Sequence, residues 1–155
     1  MKSQIAGKAL AAVFTLGLTL GMAGSCYADD DGCSLARAAG KYAFTDNGTV
    51  LGIGLRAAVG VFALDGAGNL LNGSATSSLN GSIAVETFNG TYTVNSDCTA
   101  TFKAKIYSGG VEILDLLMSG AFDDHSKEIR ALFTSVTTPN GTLLPTVISL
   151  KAKRQ

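Results

Sequence analysis

Beyond its first thirty residues the chain alternates apolar and polar side chains in runs of strand length, separated by clusters rich in glycine and asparagine. The clearest run is 99–107. There Ala100, Phe102, Ala104 and Ile106 fall on one face and Thr101, Lys103 and Lys105 on the other, the period of two expected of a half-buried strand. Residues 41–46 alternate with Tyr42 and Phe44 on one face, and 57–64 sets Phe62 and Leu64 against Val59, Val61 and Ala63. Residues 70–79 form a weaker run, small and polar. Runs 82–88 and 90–95 follow, the second with Tyr92 and Val94 on one face, and 128–136 and 143–152 close the series. Residues 111–122, VEILDLLMSGAF, are apolar on both faces; glycines at both ends and strands on either side predict a buried strand there and not a helix. Pro145 belongs near a strand start or an edge.

The breaks carry their own signal. Five Asn-Gly pairs, at Asn47, Asn72, Asn80, Asn89 and Asn140, read as turns because both residues tolerate positive φ; Asn89-Gly90 reads equally as a bulge. Each pair precedes Ser or Thr and is therefore also a formal glycosylation sequon, but spacing along strand boundaries fits turns. About eight short strands at near-regular spacing predict an all-β fold: a single antiparallel up-and-down barrel of about eight strands, with a sandwich as the other arrangement. Eight strands enclose an interior that side chains fill or that holds one small ligand. The only helical prospect outside the leader is one short turn in CSLARAAGKY.

The leader changes the picture. Lys2 and Lys8 precede an uncharged apolar run over 9–22, then small residues and the acidic cluster Asp29, Asp30 and Asp31. This is the order of a bacterial secretory signal peptide, and the run is shorter than the roughly 20 residues of a spanning helix. Cleavage is expected after Ala28, giving a signal peptide over 1–28 and one β-barrel domain over 29–155, secreted or periplasmic. A lipoprotein anchored through Cys26 is the weaker alternative, since Ala23 stands where such signals carry leucine. An outer-membrane barrel is set aside: aromatic residues are few, several outward faces are charged, and the C-terminal SLKAKRQ lacks an aromatic end.

Removing the leader leaves ten basic residues against twelve acidic ones. No basic stripe remains, which argues against a nucleic-acid partner. Two cysteines stay behind, Cys33 and Cys98, and an even number in an exported chain points to an internal disulfide. Two free thiols, or a bridge between chains, are the alternatives.

VGVFALDGAGNL (59–70), NGTYTVNSDCTATF (89–102) and the closing AKRQ resemble a group of small secreted bacterial proteins that share the motif G-T-Y-T-V-N-x-D-C-T. Ala100 departs from the glycine that often follows this motif. The resemblance implies a barrel similar to the allene oxide cyclase type, a neighbour of the lipocalin and dirigent (calycin-like) barrels. It implies no settled activity, and no functional residue of the cyclases maps onto this chain.

Candidate chemistry is sparse. His125, the only histidine, sits in the polar segment DDHSKE and reads as a solvated hairpin tip. Zinc has no ligand set and no metal or cofactor is expected. Asp65-Gly66-Ala67-Gly68-Asn69 opens like a calcium loop but lacks the later acidic ligands, so a tight turn is its reading. No G-x-S-x-G elbow or phosphate-binding glycine pattern is present. Asp115 stands out because it interrupts the most apolar strand; facing inward, it would be a desolvated carboxylate of the kind that marks sites. Glu86 and Glu112 are similar strand carboxylates in less apolar surroundings. Tyr42, Tyr92 and Arg130 are the partners that a closed barrel could bring to Asp115, and these four are the ligand-pocket candidates. The leading functional expectation is a secreted barrel binding a small apolar ligand, without stable membrane insertion. A cyclase or isomerase acting in the same cavity, or a structural envelope module with a filled core, are the alternatives. The state of the interior discriminates among them.

Overall fold

A computed structural model describes residues 32–155 apart from Asp124. The leader, its expected cleavage position, Cys26 and the cluster Asp29 to Asp31 lie outside the described residues. Eight strands form one closed antiparallel barrel: β1 (Gly40–Val50), β2 (Gly54–Leu64), β3 (Asn69–Leu79), β4 (Ser82–Val94), β5 (Thr99–Ser108), β6 (Val111–Asp123), β7 (Glu128–Thr137) and β8 (Thr146–Arg154). Each strand pairs with the next, and β8 returns to β1, with Phe44 opposite Ala152. The short helix α1 (Leu35–Ala38) precedes β1, its first turn capped by the Ser34 hydroxyl accepting from the Arg37 N–H at 3.3 Å. The all-β up-and-down expectation is met, including 111–122 as a strand.

Three of the Asn-Gly pairs are not turns. Asn47-Gly48 lies inside β1, Asn72-Gly73 inside β3 and Asn89-Gly90 inside β4, which runs unbroken where two shorter strands were expected. Asn72-Gly73 is a bulge: the pairing steps from Leu70 opposite Gly90 to Gly73 opposite Phe88, and Asn72 has φ 52°. Asn80-Gly81 is a true hairpin turn, with φ of 49° and 86°.

The strand glycines serve closure. A Cβ on Gly90 would lie 1.9 Å from the Lys103 carbonyl oxygen across the ladder, and one on Gly48 would lie 2.0 Å from that of Val147. These are backbone atoms of the paired strand, so no side-chain adjustment relieves the clash. A strand can bend hard toward its neighbour only where Cβ is missing.

The two ends of the barrel differ. At one end α1 and the turns β2–β3, β4–β5 and β6–β7 form a closed floor. Cys33 and Cys98 are bonded there, with Cα atoms 4.9 Å apart across a separation of 65 residues. The bridge ties the segment before α1 to the β4–β5 turn, and the Cys98 carbonyl accepts from the Phe122 N–H at 2.9 Å. Tyr42 is fully buried and stacks on Phe62 at 5.5 Å; Phe44 packs edge-on to Phe88 at 5.7 Å, and Tyr92 stacks on Phe102 at 6.0 Å. These rings fill the lower interior, leaving an apolar void of about 30 Å³.

Two outcomes check this architecture. Replacing Cys33 and Cys98 with serine should cost about 4 kcal/mol in the chain-entropy view of a loop this long, read as a lower urea midpoint with the β-sheet circular dichroism retained in buffer. Gly90→Ala should destabilise by roughly 2–3 kcal/mol despite the good strand tolerance of alanine elsewhere; an unchanged midpoint would show that β4 and β5 can part locally.

Candidate functional site

The opposite end carries the β1–β2, β3–β4 and β5–β6 turns and the β7–β8 loop. Residues 47–55, 77–85, 106–111 and 133–150, which build this end, contain no Asp, Glu, Lys or Arg. Its rim is aliphatic and exposed: Leu51, Leu55, Ile83, Val111, Leu143 and Val147 are each more than half exposed. The Leu51 N–H donates to the Pro145 carbonyl at 2.8 Å and the Asn80 N–H to that of Leu55 at 2.7 Å, which stitches the loops into a ring. Below the rim opens a cavity of about 330 Å³, walled by residues that include Val50, Leu79, Ile113, Leu116, Val136 and Ile148.

Three charged side chains meet at its base. Arg56 on β2 reaches between Glu86 on β4 and Asp46 on β1. Its Nη1 and Nη2 donate to the two oxygens of Glu86 at 3.3 and 3.1 Å. Nη2 also lies 3.4 Å from Asp46 Oδ2, and Nε faces Asp46 Oδ1 at 3.3 Å, an ion pair whose two atoms have no other partner among the described residues. Ser77 on β3 donates its hydroxyl to Glu86 Oε1 at 2.7 Å. All of these side chains are nearly buried: Asp46 retains 2% of its side-chain exposure, Glu86 6% and Arg56 11%. Arg56, Ser77 and Glu86 line the cavity; Asp46 sits behind them.

The electrostatics follow from that burial. Burial pushes the Asp46 carboxyl above its ordinary range; the attraction of Arg56 offsets this only in part, and the neighbouring Glu86 charge adds to the rise. Burial penalises the Arg56 guanidinium too, but the hydrogen bond to Glu86 and the charge of Asp46 outweigh it and hold its pKa above the usual value.

The residues singled out from sequence are not brought together. Asp115 faces out from β6, its side chain 41% exposed, paired with Lys105 at 3.3 Å. It borders an open trough in the outer wall, larger at about 750 Å³ but with no buried polar group among its lining residues. The inward reading of Asp115 is therefore corrected. Arg130 also stands outside, paired with Asp123 at 3.3 Å and Glu128 at 3.0 Å. Tyr42 and Tyr92 do point inward, but at the closed end. The Tyr42 hydroxyl donates toward the Ala38 and Ser126 carbonyls at 2.7 and 2.9 Å and accepts from Arg154 at 3.0 Å. That of Tyr92 donates toward the Asp65 and Leu35 carbonyls at 2.6 and 3.1 Å. Burial raises both phenols, Tyr92 to about 12, and both fasten α1 and the turns to the barrel. Asp65 accepts from the Ala67 and Asn69 N–H groups at 2.9 and 2.8 Å, which makes its loop a closed turn. Exposed His125 sits in the β6–β7 turn.

Sequence reasoning placed Glu86 behind Asp115 and passed over Arg56 and Asp46. A signal was present. Asp46 is in phase with Tyr42 and Phe44, Arg56 with Phe62 and Leu64, and Glu86 with Phe88 and Tyr92. Three charges keep step with the aromatic, inward face.

No protein-family model matches the chain, and no curated protein matches it. It is similar in fold to solved small barrels. These include the redesigned β-barrel mFAP1 bound to DFHBI, at 15% identity and TM-score 0.52 over 78% of this chain and 98% of that one. Another is EF1p2_mFAP2b bound to DFHBI, at 13% identity and TM-score 0.56 over 79% of this chain and all of that one. A third is the redesigned barrel mFAP0 bound to DFHBI, at 16% identity and TM-score 0.50. At these identities the likeness shows the eight-stranded antiparallel barrel and nothing finer.

The cluster makes an asymmetric stability prediction. Arg56→Met strands two buried carboxylates and should cost about 3–5 kcal/mol. Asp46→Asn should cost far less, because the ionised Asp46 is the disfavoured member. The sign follows from the raised Asp46 pKa: the folded protein holds that proton more tightly than the unfolded chain, so stability falls as pH climbs from the unfolded value through the folded one. Urea midpoints across the acid range should show this fall in the parent and a flatter profile in Asp46→Asn.

Proposed function

We propose that the chain is an exported small-ligand-binding barrel, with residues 1–28 as its signal peptide and 29–155 as its mature domain, which holds a small apolar molecule in the cavity at its uncharged end. The observation that carries this is the cavity itself: about 330 Å³, walled mainly by aliphatic side chains together with Phe133, open at a rim without charge, and floored by a few buried polar groups. That is the make-up of a small-molecule site, apolar with few placed polar groups. A structural module would have no use for such a space, and the lower half of the same barrel is packed. The Cys33–Cys98 bond fits an oxidising, extracellular or periplasmic compartment. The bound DFHBI named for the similar barrels supports ligand holding by this architecture.

The finer likeness to allene oxide cyclase barrels belongs to the same proposal at the level of fold. A cyclase or isomerase working in this cavity is the second reading, favoured by the placement of Glu86 and Ser77 at its base. Binding is preferred because both Glu86 oxygens are already held by Arg56 and one also by Ser77, which leaves little of that carboxylate for proton transfer to a substrate.

Titration with the neutral fluorescent probe N-phenylnaphthylamine checks the binding reading. The parent should bind it with a blue shift in emission. Ala84→Trp, which fills the cavity from its β4 wall, should weaken binding by at least about tenfold, or roughly 1.4 kcal/mol, while keeping the parent's circular dichroism. Equal binding by both proteins would place the probe elsewhere.

A further inference from the structure

The cavity floor also selects a class of ligand. A guanidinium at the bottom of an apolar barrel would by itself suit a carboxylate, as the bidentate fork does generally. Here that role is already taken twice. Glu86 occupies Nη1 and one edge of Nη2, and Asp46 occupies Nε and the other edge of Nη2. Guanidinium has five N–H donors. Three donate to these two carboxylates, the Nε N–H faces Asp46 Oδ1 as an ion pair without a hydrogen bond, and the one turned to neither acid is the second N–H of Nη1, on a residue that lines the cavity. Two carboxylates against one guanidinium also leave no excess positive charge. A ligand carboxylate arriving here would shed its water to meet one spare donor and two like charges. A neutral oxygen needs only the donor.

Resting on the binding reading above, we propose that the ligand is an uncharged, mainly aliphatic molecule with a hydroxyl or carbonyl oxygen at one end, that this oxygen accepts the remaining Arg56 Nη1 N–H, and that free carboxylic acids of the same length are excluded. The rest of the path agrees. The rim and the loops above the cavity carry no charge that could guide an anion or hold a cation, and apart from Ser82 the walls offer apolar contact, mainly aliphatic with the ring of Phe133. The selection is imposed by Glu86 and Asp46, which mask the cation, and not by the cavity walls.

The test displaces N-phenylnaphthylamine from the exported, disulfide-intact protein at neutral pH with four probes of one chain length: decanol, decane, decanoate and decylamine. Decanol should displace best, at least about tenfold better than decanoate given the cost of like charges set side by side without water, and better than decane. In Glu86→Gln, which frees part of the fork and removes one negative charge, the order of decanol and decanoate should reverse; Asp46→Asn should shift it the same way and stands in if the first variant unfolds. Decanoate or decylamine displacing best from the parent, or an order that neither variant moves, overturns the ligand class while the fluorescent probe still reports a working cavity. Failure of the fluorescent probe and of every chain to bind overturns both the class and the binding reading.

Discussion

Closing eight strands into a barrel fixes the space inside, and everything else in this protein is a consequence of how that fixed space is filled. Closure requires the strands to bend at the points where Gly48, Gly60, Gly73, Gly90 and Gly120 bring an inward Cβ position against a neighbouring strand or ring. Once closed, the interior is a column that each strand lines with every second residue. Aromatic side chains on β1, β2, β4, β5 and β6 occupy its lower half, and their stacking leaves almost no void. The upper half receives mostly Val, Ile, Leu, Ala and Ser, with Phe133 the one aromatic side chain among the residues lining the cavity, and these smaller volumes do not span the same cross-section. The cavity is therefore the complement of a packing gradient along the barrel axis.

That gradient also explains why a buried ion cluster is tolerable. Removing charges from water costs several kcal/mol per ion unless geometry and hydrogen bonds return it. Arg56 is long enough to cross from β2 to both acids, and its planar fork meets Glu86 edge-on while its inner edge meets Asp46. An apolar trio of similar volume would stabilise the fold as well or better. Keeping charge here therefore points to use of the site and not to the stability of the barrel, whose anchoring is at the other end. There the disulfide, α1 and the two tyrosine hydroxyls join segments distant in sequence: Tyr42 reaches Ser126, and Tyr92 reaches Asp65.

The fold was legible because a period of two survives in most strands, and even the doubly apolar β6 was recognisable from its flanks. The site was not, for a reason that particular residues make clear. In β6 both faces are apolar, so Asp115 looked buried by composition; yet Leu116, Met118 and Phe122 share one face and Asp115 the other, and that phase decides the matter. Phase alone also marks Asp46, Arg56 and Glu86 as inward. What phase cannot give is register, and only register sets Gly48 opposite Arg56 and Ala75 opposite Glu86, so that one cation meets two acids from β1 and β4. The Asn-Gly pairs misled for a related reason. The same backbone freedom that makes a turn also lets a strand bulge or approach its neighbour, and the sequence dipeptide does not say which.

The division of labour between the two ends bears on how a ligand would enter. The closed end is held by a covalent bond and by hydrogen bonds from buried phenols, so its turns cannot open without breaking several of them together. At the other end the loops are held to one another mainly by single backbone bonds, such as Leu51 to Pro145 and Asn80 to Leu55, and the side chains between them are aliphatic. Local opening there costs a few contacts and exposes no unpaired charge, whereas opening at the disulfide end would uncover aromatic core. Motion should therefore concentrate at the rim. An apolar molecule could pass a ring that loosens this way without any charged group having to be dehydrated until it reaches Arg56.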